Sequence, residues 1–290
     1  MIAVLLFAVC LVASTVGAVA GYGGGVIIKP VLDALGIMPV STISFLSGCT
    51  VLSMSVASLL RSRGNGVQLR LKTTTPLAIG AGIGGLLGKY LFELVKSGSD
   101  EAVLGLVQSF FLLLTTVGVF VYTIKKDRLP SYQLDNLPVC LLVGLALGVV
   151  SAFLGIGGGP LNVALLFFFF SMEAKEAAKN SIFIILFSQT ASLISALVQG
   201  SVPDFAWPDL LSMMAGGIGG ALLGGALSKR MDNRAVEQSE RMEKKYGNEL
   251  CYQHTGQVSW GANWPALKAL WVKENEPEVW AKTKKVLLIE

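Results

Sequence analysis

The chain has 290 residues, 53% of them apolar and 14% charged, with a net charge of +4. A soluble domain carries about 25% charged residues, so the deficit excludes an ordinary soluble enzyme and points to a polytopic membrane protein. The charge is too small for a nucleic-acid footprint and no readout motif accompanies it; Cys10, Cys49, Cys140 and Cys251 form no C-x-x-C pair, so neither a disulfide framework nor a zinc site is indicated.

The first apolar stretch, 2–35, is too long for one span of about 20 residues and too short for two comfortable ones. It contains "GYGGG" at 21–25. Its opening ends in Ala18-Val19-Ala20, as a cleaved signal peptide would. No basic n-region precedes it and the run continues to Leu35, so it reads as membrane structure. Spans are predicted over 41–60, 74–95 and 102–124. A second stretch of about 35 residues, 137–171, holds "GIGGG" at 155–159, and spans at 176–199 and 209–228 follow.

The loops set orientation by the positive-inside rule. Segments 61–72, 125–128 and 228–230 are basic and are expected in the cytoplasm; 96–101 and 199–209 are poor in lysine and arginine and are expected outside. The stretch 2–35 then starts and returns outside, while 137–171 starts and returns inside. The sequence repeats in step with this inversion. At an offset of 134, "GYGGG" falls on "GIGGG", Met38 on Met172, Ser47 on Ser181 and Ala57-Ser58-Leu59 on Ala191-Ser192-Leu193. "GIGG" at 82–85 falls on 217–220 at an offset of 135. Inverted repeats with interrupted helices mark many secondary transporters.

The glycine triplets, Gly23, Gly24, Gly25 and Gly157, Gly158, Gly159, break their helices. Non-helical backbone survives at membrane depth only where protein packs it or a wet cavity adjoins it. New helical legs are predicted after each triplet, over 26–35 and 160–171, with Pro160 suited to a first turn. Helix N-termini attract anions, so two such ends meeting near the midplane would make one anion site. The alternative is close packing through small residues, which is the reading for "GAGIGG" (80–85) and "AGGIGGALLGG" (215–225). No nucleotide-binding G-x-x-x-x-G-K-[ST] occurs.

Hydroxyls and amides accompany each hairpin: Ser47, Thr50, Ser53 and Ser55 in the first repeat, and Asn162, Asn180, Ser181, Ser188, Gln189 and Thr190 in the second. Intramembrane polar groups face the bundle interior, where they bind helices together or contact a solute. Ser47, Ser181, Asn180 and Asn162 are the candidates for solute contact. Lys29, Asp33, Glu173, Lys175 and Glu176 read as snorkelling interfacial charges. Lys179, one turn into its helix, is the candidate fixed cation on an anion path. No acidic residue at mid-helix offers a proton relay.

On "GAVAGYGGGVIIKPVL", "SAFLGIGGGPLNVALL", "GIMPVSTISFLS", "SMEAKEAAKNSIFI" and the "GIGG" helices, the chain resembles the sulfite exporter TauE/SafE family over about residues 1–235. The resemblance implies a bacterial or archaeal inner-membrane transporter of small anions such as sulfite or sulfonates. It stops after "SKRMDNRAVEQ", where a final transmembrane helix is expected. The tail, notably "TGQVSWGANWPALKALWVKENEPEVWAKTKKVLLIE", resembles an internal piece of the FGGY-type carbohydrate kinases without their phosphate-binding segments. A fusion, rearrangement or truncation would explain it.

The expected fold is an all-α polytopic membrane protein of two inverted repeats, each a glycine-broken hairpin plus transmembrane helices, with the last helix missing. The expected domains are 1–128 (first repeat), 129–235 (second repeat, incomplete) and 236–290 (soluble kinase-like fragment or disordered tail). The expected function is alternating-access transport of a small anion, with neither enzymatic activity nor cofactor. The expected partners are the anion and the lipid bilayer, with no nucleic acid; a homo-oligomer is left open. The alternative is a non-transporting or truncated membrane protein fused to the kinase fragment.

Overall fold

The computed structural model describes residues 2–20, 23–61, 70–125, 132–134, 136–255, 273 and 277–282. Gly21 and Tyr22, most of the basic loops 61–72 and 125–128, and most of the kinase-like tail lie outside them. All regular structure among the described residues is helical: α1 (Ile2–Val19), α2 (Gly25–Leu35), α3 (Val40–Arg61), α4 (Leu71–Gly98) and α5 (Glu101–Lys125), then α6 (Leu137–Leu154), α7 (Gly159–Phe170), α8 (Ala174–Val198), α9 (Trp207–Thr255) and α10 (Pro277–Lys282). Seven of these helices are long and apolar enough to cross a membrane, α9 through its first part, Trp207–Arg230. The chain is an all-α, polytopic membrane protein.

Both long apolar stretches break at their glycines. An 18-residue helix is followed by an 11-residue one in the first and by a 12-residue one in the second. At about 1.5 Å per residue the short legs reach roughly half-way across a bilayer. In the second hairpin Gly155 closes α6 in the left-handed conformation, and Pro160 opens the first turn of α7. Two compact units result, Met1–Gly225 and Ala226–Glu290. The second contains the remainder of α9 and α10. The first carries both hairpins.

The hairpins are held by small-residue seams of a common register. A Cβ on Gly80, Gly84 or Gly88 of α4 would lie 2.2, 2.2 or 2.4 Å from the carbonyl oxygens of Leu141, Leu145 and Val149 of α6. A Cβ on Gly216, Gly220 or Gly224 of α9 would lie 2.5, 2.4 or 2.4 Å from those of Phe7, Leu11 and Thr15 of α1. Thus α4 of the first repeat grips the second hairpin, and α9 of the second repeat grips the first. The α1 and α6 partners differ by 134 positions, as the letter repeat predicts, but the α4 and α9 glycines pair at 136 rather than 135. Helix contact reads an every-fourth-residue column, not the string "GIGG", and this moves the equivalence by one residue.

The apolar exterior fits lipid. On α5 only Leu104 and Gln108 are buried, while Leu106, Leu113 and Phe120 are 70%, 64% and 64% exposed. Gln108 ties this helix inward: its Nε2 donates to the Phe153 carbonyl at 2.6 Å.

Candidate functional site

The two glycine breaks meet inside the bundle. A Cβ on Gly25 would stand 2.3 Å from the Ile156 carbonyl oxygen and 2.5 Å from Val51 Cγ2. One on Gly157 would stand 2.6 Å from Val51 Cγ1. Val51 of α3 therefore sits against both breaks, and no side chain fits at Gly25 without parting them. Gly23, half-buried with φ 78°, donates its N–H to the Gly17 carbonyl at 3.1 Å. Gly24 caps α2, its carbonyl accepting from Ile27 and Ile28 at 3.0 Å each, and is pressed on Ser14. Gly158 caps α7 at φ 70°, its carbonyl accepting the Asn162 amide at 2.8 Å.

The candidate polar side chains separate by their hydrogen bonds. Asn180 is fully buried and engaged: it accepts from Thr74 Oγ1 and donates Nδ2 to the Glu176 carbonyl at 2.7 Å. Ser181 reaches the Gly159 carbonyl at 3.5 Å. Ser47 Oγ and Asn162 Oδ1 are buried with no hydrogen-bond partner among the described residues. A buried polar atom without a partner costs about 1–3 kcal/mol, so these two carry unspent capacity beside the breaks. Asn162 Oδ1 lies 3.0 Å from where a Gly158 Cβ would be.

A small, partly open cleft, with room for a water or two, adjoins the second break at Gly155. Its polar wall is Ser44, Lys89, Gln189 and Ser192, with Gly48 and Gly155; Phe45, Phe92, Ala152, Leu193 and Ala196 form the apolar wall. These residues lie toward the start of α3 and the ends of α4, α6 and α8. For α3, α4 and α8 this is the membrane face of the 199–206 connection. Gln189 donates Nε2 to Ser151 Oγ at 3.2 Å, and Ser44 Oγ lies 3.5 Å from Gln108 Oε1. Gly23, Gly24, Gly25, Gly157 and Gly159 do not line this cavity; Gly158 lines a separate apolar groove beside α5 with Val26, Ile156 and Pro160. At the opposite face Arg70 Nε meets Glu176 at 2.5 Å and Arg70 Nη1 donates to the Phe170 carbonyl at 3.3 Å.

Several charges sit where the sequence does not place them. Lys29, read as snorkelling, is 1% exposed and pairs with Asp33 at 2.7 Å. Glu176 is tied to Arg70 rather than free at the interface. α2 turns this face of the hairpin into the bundle, and a buried cation must then be paired. Lys179 is half-buried, ten residues before Gln189, or about 15 Å along α8, and does not line the cavity. The cation that does is Lys89, 8% exposed, with Glu93 at 2.6 Å and the Phe92 ring centroid 4.6 Å from its Nζ. Reading 74–95 as a plain span passes over it; the available signal was a Lys and a Glu four residues apart inside an apolar helix.

Comparison with known proteins agrees with this architecture. The family described as "Sulfite exporter TauE/SafE" matches residues 6–238, which takes in both hairpins and their seams. "Probable membrane transporter protein YunE" of Bacillus subtilis (strain 168) is 27% identical over 256 residues, covering 80% of this chain and 91% of that protein. "Probable membrane transporter protein YjnA" of the same strain is 26% identical over 230 residues, covering 75% and 87%. No solved structure matches.

Proposed function

The chain belongs to the sulfite exporter TauE/SafE family, and from that premise we propose that it is a secondary transporter moving small anions, sulfite or organosulfonates, by alternating access. The observation that carries this reading is the contact of Gly25 with the Ile156 carbonyl. Two interrupted hairpins that touch in the interior, gripped by helices of the opposite repeat, are the arrangement in which one repeat rocks against the other around a shared site. The names of the relatives, both probable membrane transporters, support transport over catalysis.

In this reading the anion is bound beside the breaks. The amides of Gly24, Gly25, Gly157, Gly158 and Gly159, the unspent groups of Ser47 and Asn162, and Ser181 serve it in the course of the cycle, while Gly23, its N–H held by the Gly17 carbonyl, shapes the first break. The polar cavity is its approach from the outer face. Arg70, Glu176, Thr74 and Asn180 close the inner face, and Lys179 lies on the inner path beyond them. The site is a multi-pass protein's midplane, and the membrane is the bacterial or archaeal inner membrane.

Flux of labelled sulfite and ethanesulfonate in proteoliposomes tests it. Wild-type protein is expected to move at least one of the two, and Gly24→Leu and Gly158→Leu to abolish flux while the protein still elutes as a folded species. Wild-type vesicles impermeable to both anions would overturn the reading.

A further inference from the structure

We propose that Lys89 is the cation that binds the transported anion in the outer cavity, and that Glu93 is the resident counter-ion from which the anion takes it. This rests on the transporter reading and deepens it, naming the solute's charge and shape and the residues that select them.

Among the described residues Lys89 is the sole charged group in the cavity wall; the rest of its polar wall is the neutral Ser44, Gln189 and Ser192, with no carboxylate to repel an anion. An ammonium this deep in an apolar bundle requires a negative partner, and the structure provides one that is not itself part of the wall. Glu93 Oε1 lies 2.6 Å from Lys89 Nζ, yet it is buried and takes part in no hydrogen bond of acceptable geometry. The contact is an ion pair within one helix, four residues apart. An ammonium has three N–H donors, and the Phe92 face 4.6 Å away adds attraction for the cation from within the cavity wall. Lys89 thus stands between two neighbours, one behind it and one in the cavity, neither of which saturates it.

With Glu93 ionised the pair is neutral. An entering anion gains the ammonium and feels Glu93 repel it, so binding is an exchange of partners. The exchange leaves room for one negative charge, since a second would face Glu93 with no cation to offset it. The apolar half of the wall, formed by Phe45, Phe92, Leu193 and two alanines, would face a short hydrocarbon arm once the cleft widens to admit the solute. The solute so selected is a monovalent organic anion: an oxyanion head on Lys89 and the serine hydroxyls, and an apolar arm against the phenylalanines. After release Glu93 recovers the lysine, which resets the site and keeps the bare ammonium from trapping the solute.

Ethanesulfonate is the probe, with sulfate as a compact dianion for comparison. In proteoliposomes Lys89→Met is expected to raise KM for ethanesulfonate at least tenfold, and Lys89→Arg by much less. Glu93→Gln is expected to lower KM several-fold and to lower kcat with it, because release slows. Ethanesulfonate is expected to compete more strongly than sulfate in wild type. Wild-type flux with an unchanged KM in Lys89→Met overturns this inference alone, whereas absence of any wild-type flux overturns the transporter reading beneath it. If Lys89→Met does not assemble, Glu93→Gln decides: a raised or unchanged KM means the pair is structural and the proposal fails.

Discussion

The two triplets are one word in the sequence and two conformations in the bundle. Gly23 and Gly157 share a left-handed φ, 78° and 74°. One residue later they part: Gly24 is right-handed at −80°, while Gly158 stays left-handed at 70°. Glycine at this second position serves space alone in the first hairpin, where Ser14 Cα would be 2.6 Å from a Cβ, and serves both space and φ in the second. The seams differ likewise. α6 meets α4 with glycines on both sides, since a Cβ on Gly144 or Gly148 would lie 2.2 Å from the Leu77 or Ala81 carbonyl. The corresponding residues of α1 are Cys10 and Ser14, both fully buried, with Ser14 Oγ 3.7 Å from Met54 Sδ. The repeat preserves the register of packing and lets the residues that fill it diverge.

The largest expected effect breaks what the two hairpins share. Gly25→Val puts methyl groups onto Ile156; overpacking of this kind costs about 1–3 kcal/mol, and with the breaks forced apart flux should fall by two orders of magnitude or more. Gly82→Val, on a position with nothing within 4 Å, should leave flux and melting temperature unchanged. Equal behaviour of the two variants would mean that contact between the breaks has no part in transport.

The seam comparison comes next. Gly144→Ala and Gly148→Ala should each destabilise the protein by about 1–3 kcal/mol, because the obstacle is backbone carbonyl with no side chain to yield. Cys10→Ala and Ser14→Ala, which shorten existing side chains, should cost under about 1.5 kcal/mol. Thermal melting in detergent reads both, and similar losses would show the two seams to be equally tight.

Smaller in stability but telling for function are Ser47→Ala and Asn162→Ala. Each removes a buried polar atom without a partner, so melting should stay level or rise, by at most the roughly 1–3 kcal/mol of the desolvation penalty. Flux should drop about tenfold if these groups are spent on the solute. Unchanged flux would return them to the scaffold. The smallest effect is expected from Thr74→Val, which withdraws the donor from Asn180 and should cost about 1 kcal/mol, read as earlier melting and a faster leak of ethanesulfonate.

Much of the fold was open to inspection in the letters. Each predicted span lies within a helix or overruns one by a residue: 41–60 within Val40–Arg61, 74–95 within Leu71–Gly98, 176–199 against Ala174–Val198. Both breaks fall on their triplets. The site was less open. Asn180 had the depth and the neighbours of a ligand residue, and only coordinates reveal that Thr74, over a hundred positions away, has already claimed it. Ser47 has the same composition around it and is left unclaimed. Lys29 and Lys179 were placed by their sequence distance from a span end, whereas the tilt and face of each helix decide whether a long side chain escapes to the interface. Lys89 is masked in the sequence because one Lys–Glu pair leaves a long helix apolar enough to read as a plain span.

The sequence alone determined that the chain lives in a membrane, where its membrane-spanning segments lie, and that two halves repeat around glycine breaks, though not that α9 runs on to Thr255. Those are matters of composition and local backbone chemistry: apolar runs of bilayer length, and residues that cannot continue a helix. Only the tertiary structure decided that the breaks touch, that each repeat grips the other's hairpin at a 136-residue glycine register, and that Lys89 rather than Lys179 faces the cavity. Those depend on which faces of distant helices meet, and pairing between faces is set by close packing across the bundle, which no local pattern encodes.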